Sequence, residues 1–429
     1  MAEITDDTGL THSIAGGNLL DRLFQTLHRH TELAESLLHT LCHFGDAQEV
    51  QVFVVGGLVR DMMLAEPSNF TTPLDIDLAV DGDLTQVHTE LAAAADARPT
   101  FHDRFGTASV SLFDGTRIDV ARTRSERYPS PGALPVVSPA TIEVDLSRRD
   151  FTVNAVALPL TGERRGELLD PHQGLRDLRR RQIRTLHEAS FRDDSTRLVR
   201  AARYAARISG AIERRTLADA RRDRQYLGAL SPERFGDAWR LLLTEQLPCP
   251  ALEIARRLKI PQSRDARWTV ARSTLSAADG PQQFWASVGL LSHDRDIVGW
   301  LPRSVGMHRR ERLALQAGTE LRRERRRIAG MRRASRVAEA LGRFPEVALF
   351  AAERVWSGTS GAAVSRYLER QADVQSPITA ERLMELGVGQ GPAIGDWLRR
   401  VDAAIWDGEL DPADPESVAR MEQRIRWSR

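Results

Sequence analysis

The chain has 429 residues, 41% of them hydrophobic, and a formal net charge of +1. That length holds two or three domains with ample core, and no apolar run reaches the roughly 20 residues a membrane-spanning helix needs. Two cysteines, Cys42 and Cys249, argue against a disulfide scaffold or a cysteine-ligated zinc site. Lys259 is the only lysine. Every other cation is arginine, whose planar, permanently charged fork suits phosphate and base recognition, although a biased genome composition gives the same excess. The opening MAEITDDTGLTHS is acidic and polar, unlike a signal peptide, so the expected location is the cytoplasm.

Taken in chain order, residues 17–45 carry apolar side chains at helical spacing, and one or two amphipathic helices are expected there. From 51 to 160 the pattern changes to short Val- and Ile-rich runs between polar turns: VFVVGG, IDLAV, TASVSLF, RIDVART and FTVNAVALPL. One helix fits at LTQVHTELAAAADA. The stretch RTRSERYPSPGALPVVSPATIEV is dense in Pro and Gly and reads as a loop. This is an α+β arrangement on a small sheet. After about residue 185 strand signals nearly vanish, and the remainder reads as helices broken at Pro261, near Gly280-Pro281, at Pro302, near Gly358 and Gly361, and at Pro377.

Four stretches carry chemistry. Gly56-Gly57 ends a strand and opens a helix, a turn that lets backbone approach a phosphate. Arg60, one helical turn on, reaches the same anion in this reading. No Gly-Lys-Ser/Thr follows, so this is not a P-loop, and no third glycine makes a dinucleotide fingerprint. Asp75 and Asp77 come next, inside an apolar run. Residues i and i+2 of a strand share a face, so two carboxylates lie side by side, where like charges repel. A divalent cation between them is the usual resolution, and Mg²⁺ often takes only one or two protein carboxylates. Asp119 in RIDVART is a candidate third carboxylate on a neighbouring strand. In SRRDFTVNAVAL, Arg149 is placed to touch a triphosphate. Finally, Asp194, Arg197, Arg200 and Arg203 recur every three residues and share a helix face, with some drift. Read blandly, that is a solvated ion-pair stripe. With a metal-type carboxylate pair upstream, it reads as a base-recognition device. The carboxylate accepts from an exocyclic amine and the guanidinium donates to a neighbouring acceptor, a pattern cytosine and adenine offer and uracil and guanine reverse.

These stretches resemble the class II tRNA nucleotidyltransferases and the related bacterial poly(A) polymerases. The likeness runs in order through GGLVRD at 56–61, DID at 75–77, RRDFTVNA at 148–155, LLDPHQGLRDLRRRQIRTL at 168–186 and DDSTRLVRAARYAAR at 193–207, with SPERF at 231–235 similar to a later motif. It covers about residues 50–250. The resemblance implies a nucleotidyltransferase-fold head with a small mixed sheet, followed by an all-α neck, body and tail. The expected division is an N-terminal helical segment at 1–45, the head at 46–165, the neck with the nucleotide template at 166–250, and a tRNA-binding body and tail at 251–429.

Carried over by motif, Asp75 and Asp77 bind Mg²⁺; Asp119, from its own place on a neighbouring strand, is a candidate third ligand or base. Gly56, Gly57, Arg60 and Arg149 contact the nucleotide. Asp194 and Arg197 select the base, and Arg200 and Arg203 support the template or the triphosphate. The expected reaction adds C and/or A to the tRNA 3′ end from CTP and ATP, with no nucleic-acid template. Two departures stand out: the template motif opens Asp193-Asp194 where the family usually has Glu-Asp, and Ser195 replaces a common proline. YPSPGALPVV and TLHEASFRDD resemble a subgroup that includes enzymes adding only part of CCA. The arginine-rich segment 303–336, with Arg325, Arg326 and Arg327 at its centre, is expected to follow an RNA backbone by shape. The alternatives are addition of A only or CC only, a poly(A) polymerase, a transferase acting on a small molecule, or an RNA-binding protein without catalysis.

Overall fold

The computed structural model describes residues 19–64, 74–82, 84, 87, 89–91, 99–102, 106–246, 248–260, 280–372 and 374–428. It divides into two compact units, Met1–Leu230 and Ser231–Arg429. The unit boundary falls inside the 166–250 segment that the sequence groups as one.

The first unit begins with helices α1 (Leu19–His30) and α2 (Glu32–Ala47). Thr31 separates them, its hydroxyl accepting from the Ala34 N–H as an N-cap. Then come β1 (Gln51–Val55), α3 (Gly57–Leu64), β2 (Asp75–Asp81), β3 (Thr100–His102), β4 (Thr107–Ser111) and β5 (Arg117–Arg122). A hairpin follows, β6 (Arg124–Arg127) and β7 (Val136–Pro139), then α4 (Ile142–Ser147) and β8 (Ala157–Pro159). The main sheet has six strands in the order β3-β4-β5-β2-β1-β8. Only β2 and β5 run parallel in it; the other neighbours are antiparallel.

Packing fixes the register. Val52, Val54, Ile76, Leu78, Val80, Ile118 and Val120 bury one sheet face against Leu23, Leu27, Leu37, Leu38 and Leu41 of α1 and α2. Phe53, Val55 and Ala79 bury the opposite face with Ile142, Leu146 and Ala157. β1 is therefore covered on both sides, which is why VFVV shows no polar alternation. In β2, Ile76, Leu78 and Val80 point into the first core, so Asp75 and Asp77 must point the other way. A slip of one residue would bury both carboxylates and expose three apolar side chains, each worth roughly 1.5–3 kcal/mol of burial.

Two expectations need correction. The stretch read as a loop between Arg122 and Val144 holds β6, β7 and the start of α4. The hairpin is a two-stranded ribbon with no buried residue, so it leaves no apolar periodicity to read. FTVNAVALPL is not one strand: Thr152–Asn154 form a 3₁₀ turn, and only Ala157–Pro159 pair with β1. The helix expected at LTQVHTELAAAADA lies mostly outside the described residues.

The first unit then turns helical: α5 (Gly174–Arg179), α6 (Ser190–Asp193), α7 (Thr196–Arg207) and α8 (Arg214–Asp223), with the two-residue strands β9 (Gln182–Ile183) and β10 (Ala211–Ile212) paired in parallel. One contact sets this course. A Cβ on Gly174 would lie 2.1 Å from the Thr152 carbonyl oxygen, so only glycine allows α5 to start there. Asp170 caps the same start by accepting from the Gly174 and Leu175 N–H groups. Asp177, fully buried, accepts from the Thr152 hydroxyl and from Arg184. LLDPHQGLRDL is thus the fastening between the sheet and the helices after it.

Every described secondary-structure element of the second unit is helical: α9 (Pro232–Leu243), α10 (Pro248–Arg257), α11 (Gly280–Leu291), α12 (Ile297–Ser304), α13 (Arg309–Ala329), α14 (Ala334–Leu341), α15 (Glu346–Val355), α16 (Gly358–Arg370), α17 (Ala380–Glu385), α18 (Pro392–Asp407) and α19 (Pro415–Trp427). Helices start at Gly280 and Gly358 as the glycines suggest, but Gly361 lies inside α16. Pro302 also sits inside α12 rather than ending it. That helix has only eight residues, so the one N–H that proline lacks belongs to its last turns and little ladder is lost. No helix among the described residues is long and apolar enough to cross a membrane.

Candidate active site

Gly56 takes φ +73°, a left-handed conformation that favours glycine. A Cβ there would sit 3.2 Å from Arg149 Nη1 and 3.4 Å from Asp77 Oδ2. The strand-to-helix turn, the second carboxylate of the pair and the arginine of SRRD therefore meet at one point. Gly57 opens α3, whose first N–H groups follow the turn.

Asp75 and Asp77 share one face of β2 and both are exposed. In the parallel pairing with β5, Asp77 stands opposite Asp119. Asp77 is reachable by solvent yet largely surrounded by protein, and that burial pushes its carboxyl above the usual range. Arg149 pulls it down, while Asp119 and Asp75 push it further up. A carboxylate whose charge is opposed by two others is one a cation would relieve. Asp119 Oδ1 accepts from the Ser109 hydroxyl and from Arg117 Nε at 2.9 Å. Among the described residues no three or more His, Cys, Asp or Glu side chains converge as a metal cluster. The protein's offer to a metal is the Asp75–Asp77 pair, with Asp119 beside it and tied to its own strand neighbours. Such a donor set fits Mg²⁺, which keeps several waters and takes substrate phosphates as further ligands.

The arginines are held by partners the sequence reading did not single out. Asp145, almost fully buried, takes Arg149 on Oδ2 at 3.0 Å and Arg148 on Oδ1 at 2.6 Å. Burial opposes its ionisation, but Arg149 and Arg148 outweigh that and hold its carboxyl below the usual range. Arg148 also reaches Glu126 at 2.7 Å, and Tyr128 donates to the same carboxylate at 2.9 Å. The signal for Asp145 was present, since it precedes the two arginines by three and four residues, the spacing of helix neighbours.

Helix α7 presents the base-reading candidates. Asp194, expected on one helix face with the three arginines, lies instead just before the helix in extended backbone, where its Oδ1 accepts from the Thr196 N–H and hydroxyl. Arg197 is 5% exposed. It donates to Ser190 Oγ at 2.7 Å and to the Arg148 carbonyl at 2.8 Å. Arg200 pairs with the buried Asp150 at 2.7 Å. Arg203 lies over the Tyr204 ring, 5.3 Å from its centroid. Arg60, which the sequence reading put on an anion, is 1% exposed and donates to both Asp61 oxygens and to Asn154 Oδ1. In the second unit, Arg325, Arg326 and Arg327 are exposed on α13. Arg325 rests on Trp356 and donates to Ser360, and Arg327 pairs with Glu324.

A six-stranded mixed sheet with a glycine turn, a same-face carboxylate pair and Arg149 beside it defines a nucleotidyltransferase head. Residues 52–184 match the Poly A polymerase head domain family. The chain is 31% identical to an A-adding tRNA nucleotidyltransferase of Geobacter sulfurreducens, over 89% of this chain and 46% of that protein. It is 32% identical to a CC-adding tRNA nucleotidyltransferase of Deinococcus radiodurans, over 86% of this chain and 89% of the relative. A solved CCA-adding enzyme in its second apo form superposes with a TM-score of 0.72 at 26% identity, covering 94% of this chain and 98% of that one. The chain belongs to the tRNA nucleotidyltransferase family, a family of enzymes. It spans about half the length of the Geobacter relative and most of the Deinococcus one.

Proposed function

We propose that this protein extends the 3′ end of tRNA with C and/or A from CTP and ATP, without a nucleic-acid template, using Mg²⁺. The observation that carries this reading is the meeting of Gly56, Asp77 and Arg149 at one point, with Arg197 of α7 bonded to the carbonyl of the neighbouring Arg148. Asp75 and Asp77 hold the metal. When bound, Mg²⁺ supplies charge neutralisation at the phosphates and at the attacking hydroxyl. Asp119 adds negative potential at Asp77 and is fixed by Ser109 and Arg117. The Gly56-Gly57 turn admits the triphosphate close to backbone, and Arg149, held by Asp145, stabilises charge on it. The tRNA 3′ hydroxyl attacks the α-phosphorus and gives its proton to Asp119 or to solvent, a P–O bond forms, and pyrophosphate leaves with the electrons of the broken bond.

Asp194 accepts from the exocyclic amine of cytosine or adenine, and Arg197 donates to the adjacent ring acceptor. Arg200 and Arg203 support that frame. Arg60 acts from behind it, through Asn154 and Asp61, and not by touching the nucleotide. Arg325, Arg326 and Arg327 contact tRNA phosphates. The head, neck, and body with tail fall at about 46–165, 166–250 and 251–429, after an N-terminal helical segment at 1–45, and the protein works in the cytoplasm.

Nucleotide incorporation into three matched tRNAs tests this: one lacking CCA, one ending in C and one ending in CC, each with CTP, ATP or both and Mg²⁺. Addition of CCA to the first makes it a complete CCA-adding enzyme. Addition of A only to the CC-ending tRNA, or of CC only to the first, makes it a specialist that works with a second enzyme. A long adenosine tail makes it a poly(A) polymerase. Incorporation into none of them overturns the reading.

A further inference from the structure

Behind the candidate site lies a closed ring of side chains from three segments of the first unit. Arg60 of α3 donates through Nη1 to Asn154 Oδ1 at 2.7 Å. Asn154 donates through Nδ2 to Asp150 Oδ1 at 3.0 Å. Asp150 Oδ2 accepts from Arg200 Nε at 2.8 Å. Arg200 Nη2 donates to Tyr204 Oη at 3.0 Å. The ring closes because the Arg60 guanidinium lies over Tyr204, 5.0 Å from its centroid. Arg200 and Arg203 lie against the same aromatic ring at 5.3 Å each. Tyr204 is 8% exposed and Asn154 is 5% exposed.

The chemistry at each position is specific. Asn154 must accept from a cation on one side and donate to an anion on the other. Its amide does both at once, with the acceptor and the donor on separate atoms of one plane. Tyr204 offers a π face to guanidinium groups and a hydroxyl oxygen to one of them. Crowding three cations around one ring is an electrostatic cost that apolar packing would avoid, and buried ionic networks are often no more stable than apolar replacements. Stability alone therefore does not account for the arrangement. Its geometric effect does: the ring ties α3, which follows the Gly56-Gly57 turn, to α7, which carries Arg197, Arg200 and Arg203.

We infer that Tyr204 and Asn154 are positioning residues for nucleotide selection, holding the base-reading helix and the phosphate-binding turn in one frame. This rests on the proposed function above. The two residues touch no substrate; they set where Arg200 and the start of α7 stand.

The test uses the full chain and tRNA lacking CCA, with single-nucleotide incorporation from CTP or UTP and melting by far-UV circular dichroism; if the enzyme adds only A, the tRNA ends in CC and ATP and GTP take the places of CTP and UTP throughout. Tyr204→Leu keeps an apolar side chain, though a smaller one, and removes both the π face and the hydroxyl. It is expected to raise KM for CTP about tenfold and to lower the CTP-over-UTP preference about tenfold, with kcat within about threefold. Tyr204→Phe keeps the ring, and about a threefold rise in KM is expected. Asn154→Asp sets a carboxylate against Asp150 and should behave like Tyr204→Leu, while Asn154→Gln should recover part of the loss. Purely structural residues would lower the melting temperature and leave KM and the preference alone. Wild-type KM and preference in the Tyr204 variants that fold, and in Asn154→Asp, would overturn the inference. Asp194→Ala is run beside them. If it keeps full discrimination against UTP, the base-reading assignment itself fails. If it loses discrimination while the Tyr204 and Asn154 variants do not, the positioning inference fails alone.

Discussion

Replacing Asp150 with Asn should loosen the first unit measurably, and the size follows from its contacts. Asp150 is 7% exposed and takes two Arg200 nitrogens on Oδ2, with the Phe151 N–H and Asn154 Nδ2 on Oδ1. In Asp150→Asn the amide nitrogen faces Arg200, donor against donor, and the cation keeps no counter-charge there. Removing one partner of a buried pair costs about 3–5 kcal/mol. The Arg200 side chain is 35% exposed, so solvent screening brings the expectation down to about 2–3 kcal/mol. Asp150 is held below the usual carboxylate range, since Arg200 and the Asn154 amide outweigh the opposing effect of burial. A depressed carboxyl contributes its stability above the unfolded pKa and loses it as pH falls through the folded one. The gap between wild type and variant should therefore be complete at neutral pH and close below about pH 4. All eight tryptophans lie beyond Leu230, so their fluorescence does not report on this unit directly. Amide hydrogen exchange of the peptide spanning 196–207 does, and it should quicken roughly 30- to 150-fold. Adding Arg200→Met, which removes the stranded cation, should restore part of the protection. Exchange within about threefold of wild type at neutral pH would refute the argument.

Other outcomes follow from the same geometry. Asp77→Asn should abolish nucleotide transfer while leaving the melting temperature equal or slightly higher, because it removes a charge that burial, Asp119 and Asp75 all oppose; substantial Mg²⁺-dependent transfer would contradict the metal assignment. Gly174→Ala forces a methyl against the Thr152 carbonyl and should cost about 1–3 kcal/mol in a thermal or urea melt; an unchanged melt would mean the close approach relaxes freely. Changing Arg325, Arg326 and Arg327 together to Ser should weaken tRNA binding in a gel shift and flatten its salt dependence by about 0.7–0.9 log units per lost phosphate contact; unchanged affinity would remove this surface from the tRNA path.

Much of the candidate site's local geometry was readable from sequence because it involves residues close together in the chain. Asp75 and Asp77 share a face by strand geometry alone, and apolar neighbours at alternating positions make that strand unmistakable. The Gly-Gly turn and the periodic Asp194, Arg197, Arg200 and Arg203 are local patterns of the same kind. The β6–β7 hairpin was not readable, because an exposed two-stranded ribbon has no buried face to impose a period. The 3₁₀ turn at Thr152–Asn154 was hidden inside an apolar run that reads equally well as strand.

What sequence alone determined was the local chemistry: which carboxylates are adjacent, which arginines share a helix, and that helices follow a small sheet. Tertiary structure decided the partners. Asn154 meets Arg60 across 94 residues, and Arg200 meets Asp150 across 50. Those pairings bury Arg60 against Asn154 and Asp61 and give Tyr204 a place at the centre of three guanidinium groups. Their physical cause is non-local. Two faces of one sheet must be buried at once, Gly174 lets a helix approach the Thr152 carbonyl, and the charges carried inward have to find one another there.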